Sequence, residues 1–293
     1  MRKEERQKHQ YFYLINIKLR DKRSNKELNE NDYIRLFKDV YDKKIHAESS
    51  PSKHCIFRTL FFDNQINGIK YISGTLAQFT FIKNDKWFSL KSLDIDEEFK
   101  VPNGLFPDAK ITQVIFVPKA HRLAYKTNTD FKTKPYTIKK ILEIALNEVC
   151  KENEYVQIDV ETDYSSFEKI LNANFIKKLT IDINYSNFDN GGDFKEFIEN
   201  DIKASDSSRL VIEATHKPNK TIKIKESQIL TGALESSISN GESEAKIIDE
   251  NGRVDTIKTS DYPLKDYVYG VISSFDRLVL EKIINRFRSD DKN

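Results

Sequence analysis

Between Cys55 and Ile82, two runs dense in aromatic and β-branched residues, Cys55–Phe62 and Ile69–Ile82, flank the dipeptide Asn67–Gly68. Asn-Gly readily takes the positive φ angles that a tight hairpin turn needs, so this stretch predicts two paired antiparallel strands. An isolated hairpin is marginal in water, and its apolar face demands further strands or helices to cover it. Upstream, Tyr11–Leu19 reads as a strand apolar enough to be buried on both faces. Asn31–Lys43 reads as a helix, with Tyr33, Leu36, Phe37 and Val40 in one stripe at spacings of three and four. Ala47–Lys53, rich in Ser and holding Pro51, reads as a loop. The chain therefore begins strand, helix, strand, strand.

Ser89–Asp108 is polar and irregular, and its acidic residues Asp94, Asp96, Glu97 and Glu98 lack the spacing of a calcium loop. A strand, Ile111–Val117, follows. Thr137–Lys151 is a helix with Thr137 as its expected cap and Ile138, Ile141, Leu142, Ala145, Leu146 and Val149 on one face. Tyr155–Glu161, Tyr164–Leu171 and Phe175–Asn184 read strand, helix, strand, with Asp163 capping the helix. A helix at Asp193–Lys203 and a strand at Arg209–Thr215 come next. Asn240–Gly241 and Asn251–Gly252 then suggest a β-meander of Leu230–Ser239, Glu242–Asp249 and Arg253–Thr259. A competing helix over Glu226–Ile238 stays open, because Leu230, Ala233, Leu234 and Ile238 also fit a helical spacing. Ser274–Arg288 closes the chain as an amphipathic helix.

This order defines an α+β fold of mixed or antiparallel sheets with packed helices, one arrangement being two ferredoxin-like halves plus the C-terminal meander and helix. The halves are drawn at 1–135 and 136–293, with one continuous domain as the alternative. A chain of 293 residues can bury a substantial core either way.

Basic and acidic side chains number 48 and 46, so a polyanion-binding surface has to be a local patch and not a property of the whole. The two cysteines, Cys55 and Cys150, lie far apart in apolar elements and suit buried thiols in a reducing compartment. No apolar run approaches the roughly 20 residues of a membrane helix. No signal-peptide pattern follows the basic start MRKEERQKHQ. The expected location is cytoplasmic, away from membranes.

Chemistry gathers best in TQVIFVPKAHRLAYK, Thr112 to Lys126, where an apolar strand stops at Pro118. A proline cannot donate to a central ladder, so the residues after it are expected at a sheet edge or mouth. Lys119, Arg122 and Lys126 would there contact phosphate oxygens and Tyr125 would stack on a base. His121 and Arg122 are the candidates for acid–base work and charge stabilisation. A second constellation, Asp159, Glu161 and Asp182 in the alternating strands VQIDVETD and LTIDINYS, would hold divalent metal if those strands were neighbours. The alternation equally describes a sheet with one wet face. Glu213, His216 and Lys217 in EATHK read as a strand end, and His9, His46 and His54 lie too far apart in sequence to suggest a ligand set. Phosphate-loop, dinucleotide, nucleophile-elbow and zinc-protease motifs are absent from the sequence. No cofactor is implied.

With YFYLINIKLR near the start, TQVIFVPKAHRLAY in the middle and LTIDINYSNFDN later, the chain resembles an uncharacterised bacterial protein family. Members of that family are about this length and occur near mobile elements and phage-defence genes. The resemblance implies a defence or toxin-like setting and carries no established catalytic residues. The expectation is an accessory component of a bacterial antiviral system that binds DNA or RNA, or a nucleic-acid-bound defence protein, through the basic patch. The alternatives are a metal-independent endoribonuclease using His121, and a protein-binding scaffold or inhibitor. An enzyme is the lesser expectation, and it would be a nuclease. Self-association into a homo-oligomer is compatible with all three.

Overall fold

In chain order the first elements are β1 (Lys8–Asp21), α1 (Glu30–Asp42), β2 (His46–Ser50), β3 (Lys53–Ile66), β4 (Ile69–Thr80), β5 (Trp87–Ser89), β6 (Asp94–Asp96), β7 (Lys110–Val117) and β8 (Arg122–Lys126). Then come α2 (Pro135–Asn147), β9 (Glu154–Val160), α3 (Tyr164–Leu171), β10 (Phe175–Asn184) and β11 (Arg209–Thr215). The chain ends with α4 (Gln228–Asn240), β12 (Gly241–Ile248), β13 (Val254–Lys258), β14 (Lys265–Gly270) and α5 (Phe275–Phe287). This is a computed structural model, and it describes residues 6–82, 87–96, 102, 104–184, 205, 207, 209–249 and 251–287.

β1 is the spine of the larger sheet, whose order is β14-β1-β8-β7-β4-β3-β2. Its 14 residues are long enough to carry two partners end to end along one side. Lys8 to Tyr13 pair with β14, and Ile15 to Asp21 pair with β9. β8 pairs Phe12 to Asn16 along the other side. Because β9 and β14 both pair with β1, this sheet crosses the drawn boundary at residue 135. A smaller sheet runs β11-β10-β12-β13. The expected α+β class holds. Among the described residues every strand pairing in these two sheets is antiparallel.

Helices pack on both faces of the larger sheet. Ile15, Ile17 and Leu19 point into a core with α1 and α2, while Phe12 and Leu14, one residue out of phase, meet Phe275, Val279 and Leu280 of α5. The smaller sheet buries Leu179, Ile181 and Ile183 against Phe167 and Ile170 of α3 and Ala233 and Leu234 of α4. The two sheets are stitched at the end of β9. Asn184 Nδ2 donates to Asp159 Oδ1 at 3.0 Å, Thr162 Oγ1 donates to the Ile238 carbonyl at 2.8 Å, and the Asp163 amide donates to the Tyr262 carbonyl at 2.8 Å.

Local signals explain most boundaries. Asn67 and Gly68, at φ of 52° and 77°, make the predicted β3–β4 turn. Asn29 caps α1 through a reciprocal box with Asp32. Asp163 caps α3 as expected, donated to by the Ser165 amide. Three expectations are corrected. Ala47–Lys53 is mostly strand, β2 turning through Ser52 at φ 64° into β3. α2 starts at Pro135, whose preset φ suits a first helical position, so Thr137 is inside the helix and does not cap it. Leu230–Ser239 is helix and not strand, with Ser227 accepting from the Leu230 amide at its start, so no three-stranded meander forms. The expected helix at Asp193–Lys203 lies outside the described residues.

Candidate nucleic-acid interface

Pro118 does not end the sheet. It opens a single turn, Pro118–Ala120, and His121 adopts the left-handed conformation at φ 53°, which reverses the chain into β8 between β1 and β7. The residues expected at an open mouth are therefore interior. Arg122 and Tyr125 have no exposed surface. The Tyr125 hydroxyl donates to the Thr133 carbonyl at 3.0 Å and its ring packs beside Tyr13 and Phe131, so it is not placed to stack on a base. Lys126 is half-buried and donates to Gln10 Oε1 at 2.7 Å and Gln113 Oε1 at 3.1 Å. Burial, and then the charge of Lys8, hold its pKa below the usual lysine value. Lys119 alone of the four proposed phosphate or base contacts is exposed.

What Arg122 does instead is balance a carboxylate. Its Nε lies 2.7 Å from Glu161 Oε1, both side chains being buried. Beside this pair, where β8 has ended and β1 continues, Glu27 faces Lys18 at 3.9 Å, Arg20 at 3.5 Å and His121 Nε2 at 3.2 Å. Burial would raise the Glu27 pKa, but the hydrogen bond and charge of His121 and the charges of Lys18 and Arg20 outweigh it and hold the carboxyl below its ordinary value. The Tyr33 ring sits 5.5 Å from that of His121 and its hydroxyl accepts from the Leu19 amide, closing the open edge of β1. This is an ion network built into the fold.

The acidic constellation is dispersed. Asp159 accepts from Gln157 and Asn184, Glu161 faces Arg122, and Asp182 is held by Arg209 Nε at 2.7 Å on the smaller sheet. Among the described residues no three ligating side chains converge as a metal would require. Glu213 pairs with Lys178 at 2.7 Å, while His216 lies against Phe175 with its Nδ1 2.9 Å from the Lys217 carbonyl. One histidine pair does form. The β2–β3 hairpin sets the Nδ1 atoms of His46 and His54 2.9 Å apart beside Phe79 and Phe81, which their separation in sequence concealed.

The exposed surface best suited to a partner is aromatic. β1 and β14 pair Tyr11 with Tyr267 and His9 with Tyr269, and all four rings project from the same face. Ring centroids lie 5.9 Å apart for Tyr11 and Tyr267, and 5.0 and 5.1 Å from His9 to Tyr267 and Tyr269. Tyr11, Tyr267 and Tyr269 are 43%, 48% and 56% exposed. The Lys265 ammonium lies 4.8 Å from the Tyr11 ring centre. The alternating Tyr11–Tyr13 and Tyr267–Tyr269 were the available signal, but only the long-range pairing reveals that they form one surface. Next to it, Tyr13 and Lys265 enter a cleft of about 790 Å³ between the two sheets.

These features define an α+β protein of two antiparallel sheets with an aromatic, lysine-bearing face. The chain belongs to the family described as a domain of unknown function, DUF4747, whose model matches residues 8–285, from the first residue of β1 into the last turn of α5. A search of curated proteins found no match. Among the described residues no helix is long and apolar enough to cross a membrane.

Proposed function

We propose that this protein binds single-stranded nucleic acid on the β1–β14 face, as a cytoplasmic accessory component of a bacterial antiviral system. The observation that carries the binding reading is the exposed group of His9, Tyr11, Tyr267 and Tyr269 with Lys265 over one ring. Every base has a π face, so rings on a rigid sheet provide sequence-tolerant stacking while neighbouring lysines track the phosphates. With total charge nearly balanced, the electrostatic contribution would come from such a local group. The antiviral setting comes from the resemblance carried by the segments quoted above and forms part of the same proposal.

The test is fluorescence anisotropy with labelled single-stranded DNA and RNA across a salt series. Stacking contributes about 1–3 kcal/mol per base. Replacing Tyr11, Tyr267 and Tyr269 together by alanine should weaken binding at least tenfold, on the order set by even one lost stack. Unchanged affinity in that variant, or no binding by the parent at low salt, would overturn the reading. A stoichiometric protein partner recovered free of nucleic acid would favour the scaffold alternative.

A further inference from the structure

The cleft next to the aromatic face combines three kinds of group. Tyr13, Tyr136 and Tyr262 supply rings, Lys134 and Lys265 supply cations, and Glu242 and Asp261 supply carboxylates. Its volume of about 790 Å³ is ample for one nucleotide. The cleft is continuous with the aromatic face, because Lys265 pairs directly with Tyr13 while its ammonium lies over Tyr11.

Glu242 lines both the cleft and the adjoining open face of the smaller sheet. There, Lys178 is paired with Glu213, Arg209 with Asp182, and Lys258 with Glu244. Among the described residues, Lys134, Lys265, Glu242 and Asp261 form no ion pair within 4.0 Å. Burial, followed by the charges of Glu242, Asp159 and Asp261, pushes the Tyr136 pKa up, so its hydroxyl remains a neutral donor and acceptor.

We infer that this cleft receives one guanine nucleotide of the bound strand, a step that rests on the single-strand reading above. A guanine presents two adjacent donors, N1–H and the N2 amine, which a single carboxylate accepts side by side. Glu242 and Asp261 are the acceptors available for that edge. Uracil offers two carbonyl oxygens and a single N–H there, so a carboxylate meets acceptors and is left unsatisfied. The tyrosine rings hold the base plane, and Lys134 and Lys265 take the phosphate.

The experiment is calorimetric titration of the full chain with guanosine 5′-monophosphate and uridine 5′-monophosphate, alongside the labelled oligonucleotides. The guanine nucleotide should bind roughly tenfold or more tightly than the uracil one, the range that a good bidentate base contact provides. The double variant Glu242→Gln, Asp261→Asn changes two exposed side chains and should erase that preference. Equal affinities in the parent, or a preference that survives in the double variant, would overturn the inference. If either occurs while oligonucleotides still bind in a manner dependent on Tyr11, the base assignment alone falls. If the parent binds no oligonucleotide, the single-strand reading falls with it.

Discussion

Glu27 stands 3.2 Å from the Nε2 of His121 while its other oxygen faces Arg20 at 3.5 Å and Lys18 at 3.9 Å. The two basic side chains are essentially sealed from solvent, and this carboxylate contributes to making their charge tolerable. Glu27→Gln keeps the shape and removes the charge. Breaking a buried pair from one side costs about 3–5 kcal/mol, and the partial exposure of Glu27 puts the expected loss near 3 kcal/mol in urea unfolding. Glu213→Gln, which breaks an exposed pair with Lys178, should change stability by less than about 1 kcal/mol. Equal effects of the two substitutions would contradict the network as described.

The same carboxylate sets a pH dependence. Its folded pKa is below the unfolded value, so its contribution to stability is complete above the ordinary glutamate pKa, about 4.5. The contribution is lost as pH falls from there through the lower folded value, because in that window the unfolded state takes up the proton and the folded state does not. The stability gap between the parent and Glu27→Gln should therefore shrink on acidification below the ordinary glutamate value, about 4.5. A gap that grows towards acid would reverse the sign assigned to this group.

Lys126 and Lys265 are held in different surroundings, which binding experiments can separate. Lys126 is tied to Gln10 and Gln113, whereas Lys265 lies over the Tyr11 ring. Lys265→Ala should weaken oligonucleotide binding and lower the salt slope by about 1, as loss of one phosphate contact does. Lys126→Met should leave both nearly unchanged. The opposite ranking would return the interface to the β8 segment.

What was legible in the sequence was local. The alternation of β9 and β10, the Asp163 cap of α3, and the Asn67–Gly68 turn all depend on neighbours a few residues apart. The α4 segment was ambiguous for a physical reason. Leu230, Ala233, Leu234 and Ile238 fit one helical face, yet Asn240–Gly241 looked like a hairpin turn and instead joins a helix to a strand. The β8 segment misled because Pro118 can equally stop a strand or start the turn that leads into the next one. The aromatic face was hidden by distance along the chain, since Tyr11 meets Tyr267 only through the β1–β14 register.

Both thiols should be unreactive in the folded protein. Burial pushes Cys55 up to about 12 and, with the charge of Glu154 adding, Cys150 up to about 11. The thiolate is the reactive form, so at pH 8 each is overwhelmingly protonated. Labelling with a disulfide reagent should be slow for native protein and proceed at both positions once urea unfolds it. Fast native labelling of Cys55, which is 1% exposed, would show that β3 is not packed as described.

Gly74 stands opposite Leu60 in the β3–β4 pairing, near the register shift between Phe57 and Thr59. A Cβ at this position would fall 1.9 Å from the Thr59 carbonyl oxygen, a backbone atom that moves only if the strand moves. Gly74→Ala should therefore lose at least the 1–3 kcal/mol typical of overpacking, roughly, and shift the urea midpoint to match. Gly252→Ala meets no neighbouring atom within 4 Å but occupies φ of +77°, so its cost should be the backbone penalty alone, about 1–2 kcal/mol. The two also differ in where the damage falls. Gly74→Ala should loosen amide protection along β3 and β4 of the larger sheet, whereas Gly252→Ala should affect only the β12–β13 turn. A Gly74→Ala protein with parental stability and unchanged protection in β3 and β4 would refute the close strand approach.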